Sequence, residues 1–188
     1  MKKILIALVV LVGFAGTAAA QTKVGHVKSQ MLWDTLQMSK TAEQEMRDFQ
    51  GMLAEEIQGL EADLADLYTQ YQDLQAKGGS PTMLSVKQRQ IESKEQEYQK
   101  RQQSAQFEMQ AYRVELEAPI QGLIREAVEL VAKREKYDYI MDVNSGLYVN
   151  PDNDVTDVVM MELLKLEQEA LAKAAATNNS GDGTPGAQ

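Results

Sequence analysis

The chain has 188 residues, no cysteine, one histidine and a formal net charge of −9. Without cysteine there is no thiolate metal site, cysteine nucleophile or disulfide, and one histidine cannot build a multi-histidine metal centre. The surplus of acids argues against nucleic acid and anionic membrane surfaces, whose charges must be met by Lys and Arg.

Lys2 and Lys3 precede an apolar run, Ile4 to Phe14, interrupted only by Gly13, and Ala18-Ala19-Ala20 follows. This is the layout of a secretory signal peptide spanning residues 1–20, with cleavage before Gln21. The run is shorter than the ~20 residues that a bilayer span needs. No later apolar stretch is long enough, so no transmembrane anchor is expected after cleavage. Removing Lys2 and Lys3 takes the net charge to −11.

Lys23 to Val27 reads as a first short strand, with His26 as a packed structural histidine. From Met46 the apolar residues run Met46, Phe49, Leu53, Ile57, Leu60, Leu64, Leu67, Tyr71 and Leu74. Alternating steps of three and four are a coiled-coil stripe. Lys77-Gly78-Gly79-Ser80-Pro81 breaks it, since Gly suits a helix end and Pro the first turn of the next helix. A second arm carries Leu84, Ile91, Tyr98, Ala105 and Tyr112 at seven-residue spacing. Between them fall Lys87 or Gln88, Lys94 or Glu95, and Arg101 or Gln102, so this stripe is thin near the break. Two nearly equal arms about one break predict an antiparallel helical hairpin over residues 41–118, with its tip near 78–81. Charge agrees: the first arm is rich in acids and the second holds Lys87, Arg89, Lys94, Lys100 and Arg101, a pairing able to set register.

Pro119 predicts a bend or restart, after which Ile120, Leu123, Ile124, Ala127, Val128 and Val131 resume a helical stripe. Tyr137 to Val143 alternates as a strand with Tyr137, Tyr139, Met141 and Val143 on one face. Asn144-Ser145-Gly146 reads as a hairpin turn and Leu147 to Val149 as the returning strand. Asp152-Asn153-Asp154 and Asp157 lack the central Gly and later Glu of a calcium loop, and fit turn and helix-cap chemistry before a last helix from Val158. The Gly-rich segment 177–188 has nothing to bury and is expected to be a disordered tail. The fold class is α+β, mostly α: a long hairpin arm on a small body formed by residues 21–40 and 119–176. Such a body is too small to stand alone, which points to a homo-oligomer.

No candidate nucleophile, acid–base pair or phosphate loop emerges, so the expectation is a non-enzyme with no cofactor and no metal. Methionine and aromatic side chains carry the remaining signal, because flexible, polarizable surfaces accept many partners. The candidate client-binding residues are Phe49, Met52, Tyr68, Tyr71, Met83, Tyr98 and Phe107.

The chain resembles the Skp/OmpH family of periplasmic chaperones. The resemblance rests on Lys23 to Val27, the long hairpin, Ala118-Pro119-Ile120 re-entering the body, Tyr137 to Asp142, and Leu147-Tyr148-Val149-Asn150-Pro151 with Asp154-Val155-Thr156. It implies a periplasmic homotrimer whose strands share one body and whose arms enclose a cavity. It also implies ATP-independent holding of unfolded outer-membrane β-barrel proteins. Well-known family members are basic whereas this chain is acidic, which shifts the expected client contact toward apolar and aromatic arm surface. The alternative is a structural coiled-coil scaffold or spacer of the cell envelope.

Overall fold

The computed structural model describes residues 22–180; the signal-peptide reading of 1–20 lies outside them, as does 181–188 of the expected tail. Strand β1 (Val24–Val27) leads into a short helix α1 (Ser29–Thr35) and two long helices, α2 (Gln37–Ala76) and α3 (Pro81–Glu135). Strand β2 (Tyr139–Asp142), two 3-10 turns and helix α4 (Thr156–Ser180) complete the chain.

Helices α2 and α3 pair as a hairpin through residues 77–80. The turn is built by backbone bonds from Lys77 N to the Asp73 carbonyl (3.0 Å) and Gly79 N to the Leu74 carbonyl (2.9 Å). Gly78 has φ +73°, a conformation that side chains disfavour. At Gly79 a methyl would come within 2.6 Å of the Leu74 side chain, so only glycine lets the turn close this tightly. Ser80 then caps α3 by accepting from Met83 N at 3.3 Å, with Pro81 in the first turn.

The expected stripe is the seam: from Met46 to Leu74, each of its residues is buried or half-buried. The thin part of the second arm is filled in a different way. Lys87 Nζ donates to Gln70 Oε1 at 2.8 Å, Lys94 Nζ lies 3.5 Å from Asp63, and Arg101 Nη2 lies 2.7 Å from Glu56. Each rung moves one heptad along α3 and one heptad back along α2, as antiparallel pairing requires. The Arg101 side chain is only 17% exposed, so a cation occupies a seam position and meets its counter-charge across the arm.

Pro119 does not restart the helix. Helix α3 runs unbroken from Pro81 to Glu135 although the ring removes the amide that would bond the Glu115 carbonyl. Interior proline costs about 3 kcal/mol. Packing on the following turns offsets it: Ile120, Ala127 and Val131 are fully or almost fully buried.

The body forms where the arm meets the strands. Strands β1 and β2 pair in parallel, Val24 with Tyr139 through Val27 with Asp142, and the whole arm is their crossover. Val27, Leu32, Leu36, Ile120, Val131, Val155, Val159 and Leu163 close the core. Gly25 sits beneath the Tyr137 ring, which a methyl would meet at 3.0 Å, and Lys23 Nζ lies 3.9 Å above the same ring. His26 is buried and its Nε2 donates to the Asn150 carbonyl at 3.0 Å. Helix α3 ends on Lys136 in the left-handed conformation (φ 59°), with Lys133 and Arg134 in its last turn facing the negative helix end.

Two expectations are corrected. Asn144-Ser145-Gly146 is not a hairpin turn. Asp142 accepts from Asn144 N at 2.7 Å and winds Val143–Ser145 into a 3-10 turn; Gly146 has φ −110°, and a two-residue hairpin turn needs positive φ. Leu147 to Val149 consequently forms no strand, and the third sheet contact is a single parallel bridge between His26 and Asp154. In β2 it is Ile140 that turns to the core, while Tyr139 (64% exposed) and Met141 remain in solvent. Helix α4 continues to Ser180, four residues into the segment read as tail.

Among the described residues no helix is long and apolar enough to cross a membrane.

Candidate functional site

The seven candidate residues divide by position on the hairpin. Phe49, Tyr71 and Tyr98 are half-buried in the seam. The Phe49 ring lies 4.5 Å from that of Tyr112, tilted by 44°, which spends both faces on holding α2 to α3. The Tyr98 hydroxyl accepts from Gln102 at 2.7 Å. Tyr68 is partly exposed, but its hydroxyl donates to Glu95 across the arm. Met52, Met83 and Phe107 stand free, Phe107 most of all at 74% exposure.

Two further residues belong with this second group. Val114 lies one heptad beyond Phe107 and Val86 three heptads before it, and both are exposed. Phe107 falls midway between the buried Ala105 and half-buried Met109, so this row lies on the back of α3, opposite the seam. The arm thus presents a sparse apolar stripe to solvent along much of its length. The heptad step from Phe107 to Val114 was available in the sequence; it is masked by the stronger seam period beside it.

Electrostatics separate the two faces. The hydrogen bond from Arg101 holds the Glu56 carboxyl below the usual carboxylate range. Glu97, and then Asp63, hold the Lys94 ammonium above its ordinary value. The cations of the thin stripe are thereby consumed within the arm. A groove of about 650 Å³ opens at the arm root, lined by Trp33, Arg113, Glu117, Ile124 and Arg125 among others. Arg113 is paired with Glu117 at 2.9 Å.

Beneath the arm, two aspartates lock the body. Asp142 accepts from Ser29 N at 3.1 Å and from the Ser29 hydroxyl, capping α1, and these bonds hold its carboxyl low. Asp154 accepts from Thr156 N at 2.9 Å, capping α4, and lies 2.7 Å from Lys28 Nζ. Burial pushes the Asp154 carboxyl up, but Lys28 and the Thr156 donors outweigh it and bring it down to about 2. The Asp152–Asp157 segment therefore serves as turn and cap.

In the body, Leu147 and Tyr148 are fully and largely exposed and join Tyr139 and Met141 as uncovered apolar surface. A two-stranded sheet covered on one side only is not a finished core.

Comparison with known proteins agrees with this architecture. Residues 23–163 match the family model described as outer membrane protein (OmpH-like). The chaperone protein Skp of Yersinia enterocolitica is 31% identical over 169 residues, covering 87% of this chain and 99% of that protein. The Skp of Vibrio cholerae serotype O1 is 24% identical over 148 residues, covering 78% and 86%. The crystal structure of an OmpH-like outer membrane chaperone from Caulobacter crescentus superposes with a TM-score of 0.66 at 16% identity, covering 75% of this chain and 83% of that one. By the extent of the family match and the identity to a full-length relative, the chain belongs to the Skp/OmpH family of chaperones.

Proposed function

We propose that the chain is an ATP-independent periplasmic holdase that keeps unfolded outer-membrane β-barrel proteins from aggregating, working as a homotrimer whose arms surround the client. The observation that carries this reading is the apolar row on the back of α3, Val86, Phe107 and Val114, joined by Met52 and Met83. A row of isolated apolar side chains between charged ones offers many weak contacts and no single pocket. That suits a ligand with no fixed shape, because contacts can be exchanged as the ligand moves. The uncovered Tyr139, Met141, Leu147 and Tyr148 support the oligomer, since further copies would cover them. Membership of a family whose relatives are named chaperones supports the same reading.

The test is sedimentation velocity on the chain from Gln21 onward, alone and after addition of a β-barrel membrane protein diluted from urea. A mass of three chains that shifts to a dissolved complex with the client is expected. An oligomer that leaves the client to aggregate would favour the envelope scaffold, and a stable monomer would overturn the shared body.

A further inference from the structure

Helix α2, the first limb of the arm, begins without a cap of its own. The residue at the capping position is Leu36, which has no side-chain acceptor, and no acid lies in the first turn. The early amides of a helix need partners from elsewhere. One comes from the far end of the chain: Glu167 of α4 places Oε1 2.7 Å from Met38 N. Glu167 is only 5% exposed, and Ser39, the residue after Met38, only 1%. A carboxylate enters such a place at a desolvation cost unless it is hydrogen-bonded, and the positive end of a helix is among the few sites that compensate it.

One turn further on, Leu171 is partly exposed and lines a cleft at the arm root together with Met38, Leu116, Pro119 and Ile120. Pro119 is where α3 lacks a helical hydrogen bond. The second half of α4 therefore reaches both limbs at the root, α2 through the bond from Met38 N to Glu167 and α3 across the cleft beside Pro119. Below, Arg134 Nη1 to Glu162 at 2.8 Å ties α4 to the end of α3. The family match stops at residue 163, so Glu167 and Leu171 lie beyond the region shared with the family model.

We infer that Glu167 is a positioning residue: through the first turn of α2 it fixes the angle at which the arm leaves the body, and α4 beyond residue 163 is the brace that carries it. The arm then moves as one lever about its root, and the spread of its tips is set by one carboxylate far from them. This concerns the geometry of the arm and stands whatever the arm holds.

The chain has no cysteine, so a Gln75→Cys, Asp157→Cys pair carries spin labels near the tip and in the body. Labelled chains diluted into unlabelled ones report the tip-to-body distance within one copy. Glu167→Ala is expected to broaden that distribution and to speed amide exchange at residues 38–42 about tenfold, while amides at Val131 and Val159 keep their protection. Glu167→Gln retains an acceptor for Met38 N and is expected to keep the distribution narrow. An unchanged distribution and exchange in Glu167→Ala would overturn the proposal. So would equal loosening at Val131 and Val159, which would make Glu167 an ordinary core residue.

Discussion

Replacing Val86, Phe107 and Val114 together with serine tests the apolar row directly. All three are exposed, so the fold loses little packing, and surface changes of this kind usually alter stability by less than ~0.5 kcal/mol. Phe107 alone offers, at 74% exposure, on the order of 150 Å² of apolar surface. At ~25 cal/mol/Å² full coverage would be worth about 3–4 kcal/mol. A mobile client covers about half of this on average, and part of the gain is lost to ordering side chains on both partners. The triple variant should therefore bind an unfolded β-barrel protein with a loss of about 2 kcal/mol, roughly 30-fold in Kd. Fluorescence anisotropy of a labelled client in low urea measures this, with circular dichroism as the control for fold. The matched control, Phe49→Ser, should do the opposite: lower the helical melting temperature through its lost contact with Tyr112. Unchanged affinity in the triple variant, with Phe49→Ser abolishing binding at intact helicity, would refute the assignment of faces.

Four other outcomes follow from the same structure. A double-mutant cycle on Arg101 and Glu56, read by arm amide exchange, should show stronger coupling than one on Arg113 and Glu117, because Arg101 is 17% exposed and Arg113 is 69% exposed; equal coupling would show that the rung holds the limbs together no better than a surface pair. Asp154 is held down to about 2 from 3.8, so its contribution of about 2 kcal/mol is complete above roughly pH 4 and lost as pH falls toward 2; the stability gap to Asp154→Asn should close over that interval in acid unfolding curves. Lys136→Gly should raise the melting temperature, relieving about 1 kcal/mol of left-handed strain at φ 59°, and a decrease would show that the lysine side chain matters more than its backbone. Client affinity should change by less than about threefold between low salt and roughly 0.5 M, since screening weakens charge contacts and spares apolar ones.

The seam was legible because a coiled-coil period needs only spacing, and spacing survives without coordinates. By the same logic Phe49, Tyr71 and Tyr98 belong to the seam, since they stand on the very stripes that reveal it. The polar gaps at Lys87, Lys94 and Arg101 look like weakness in one helix and become rungs only when the other helix is set beside them. The returning strand failed for a local reason. Asn-Ser-Gly has the composition of a hairpin turn, but Asp142 just before it supplies a side-chain acceptor that favours a 3-10 turn. Pro119 fails the other way: a local rule predicts a break, and burial of Ile120, Ala127 and Val131 overrides it. The cap by Glu167 has no signal in sequence at all, because its partner is 129 residues away.

The ladder between the limbs has a consequence for how arms of this kind change size. Arg101 would meet Asp63 as readily as Glu56 if the limbs slid by one heptad, and Lys94 would then meet Gln70. The rungs alone do not choose the register; the four-residue turn, with Gly79 closed on Leu74, chooses it. Length is therefore modular. Removing one heptad from each limb at matched heights leaves every remaining rung in place and brings the tip ~10 Å nearer the body. Removing a heptad from one limb only shifts every rung between that site and the body. Arms that vary by paired heptads have graded length on an unchanged base, a quantity that can be engineered without touching the core.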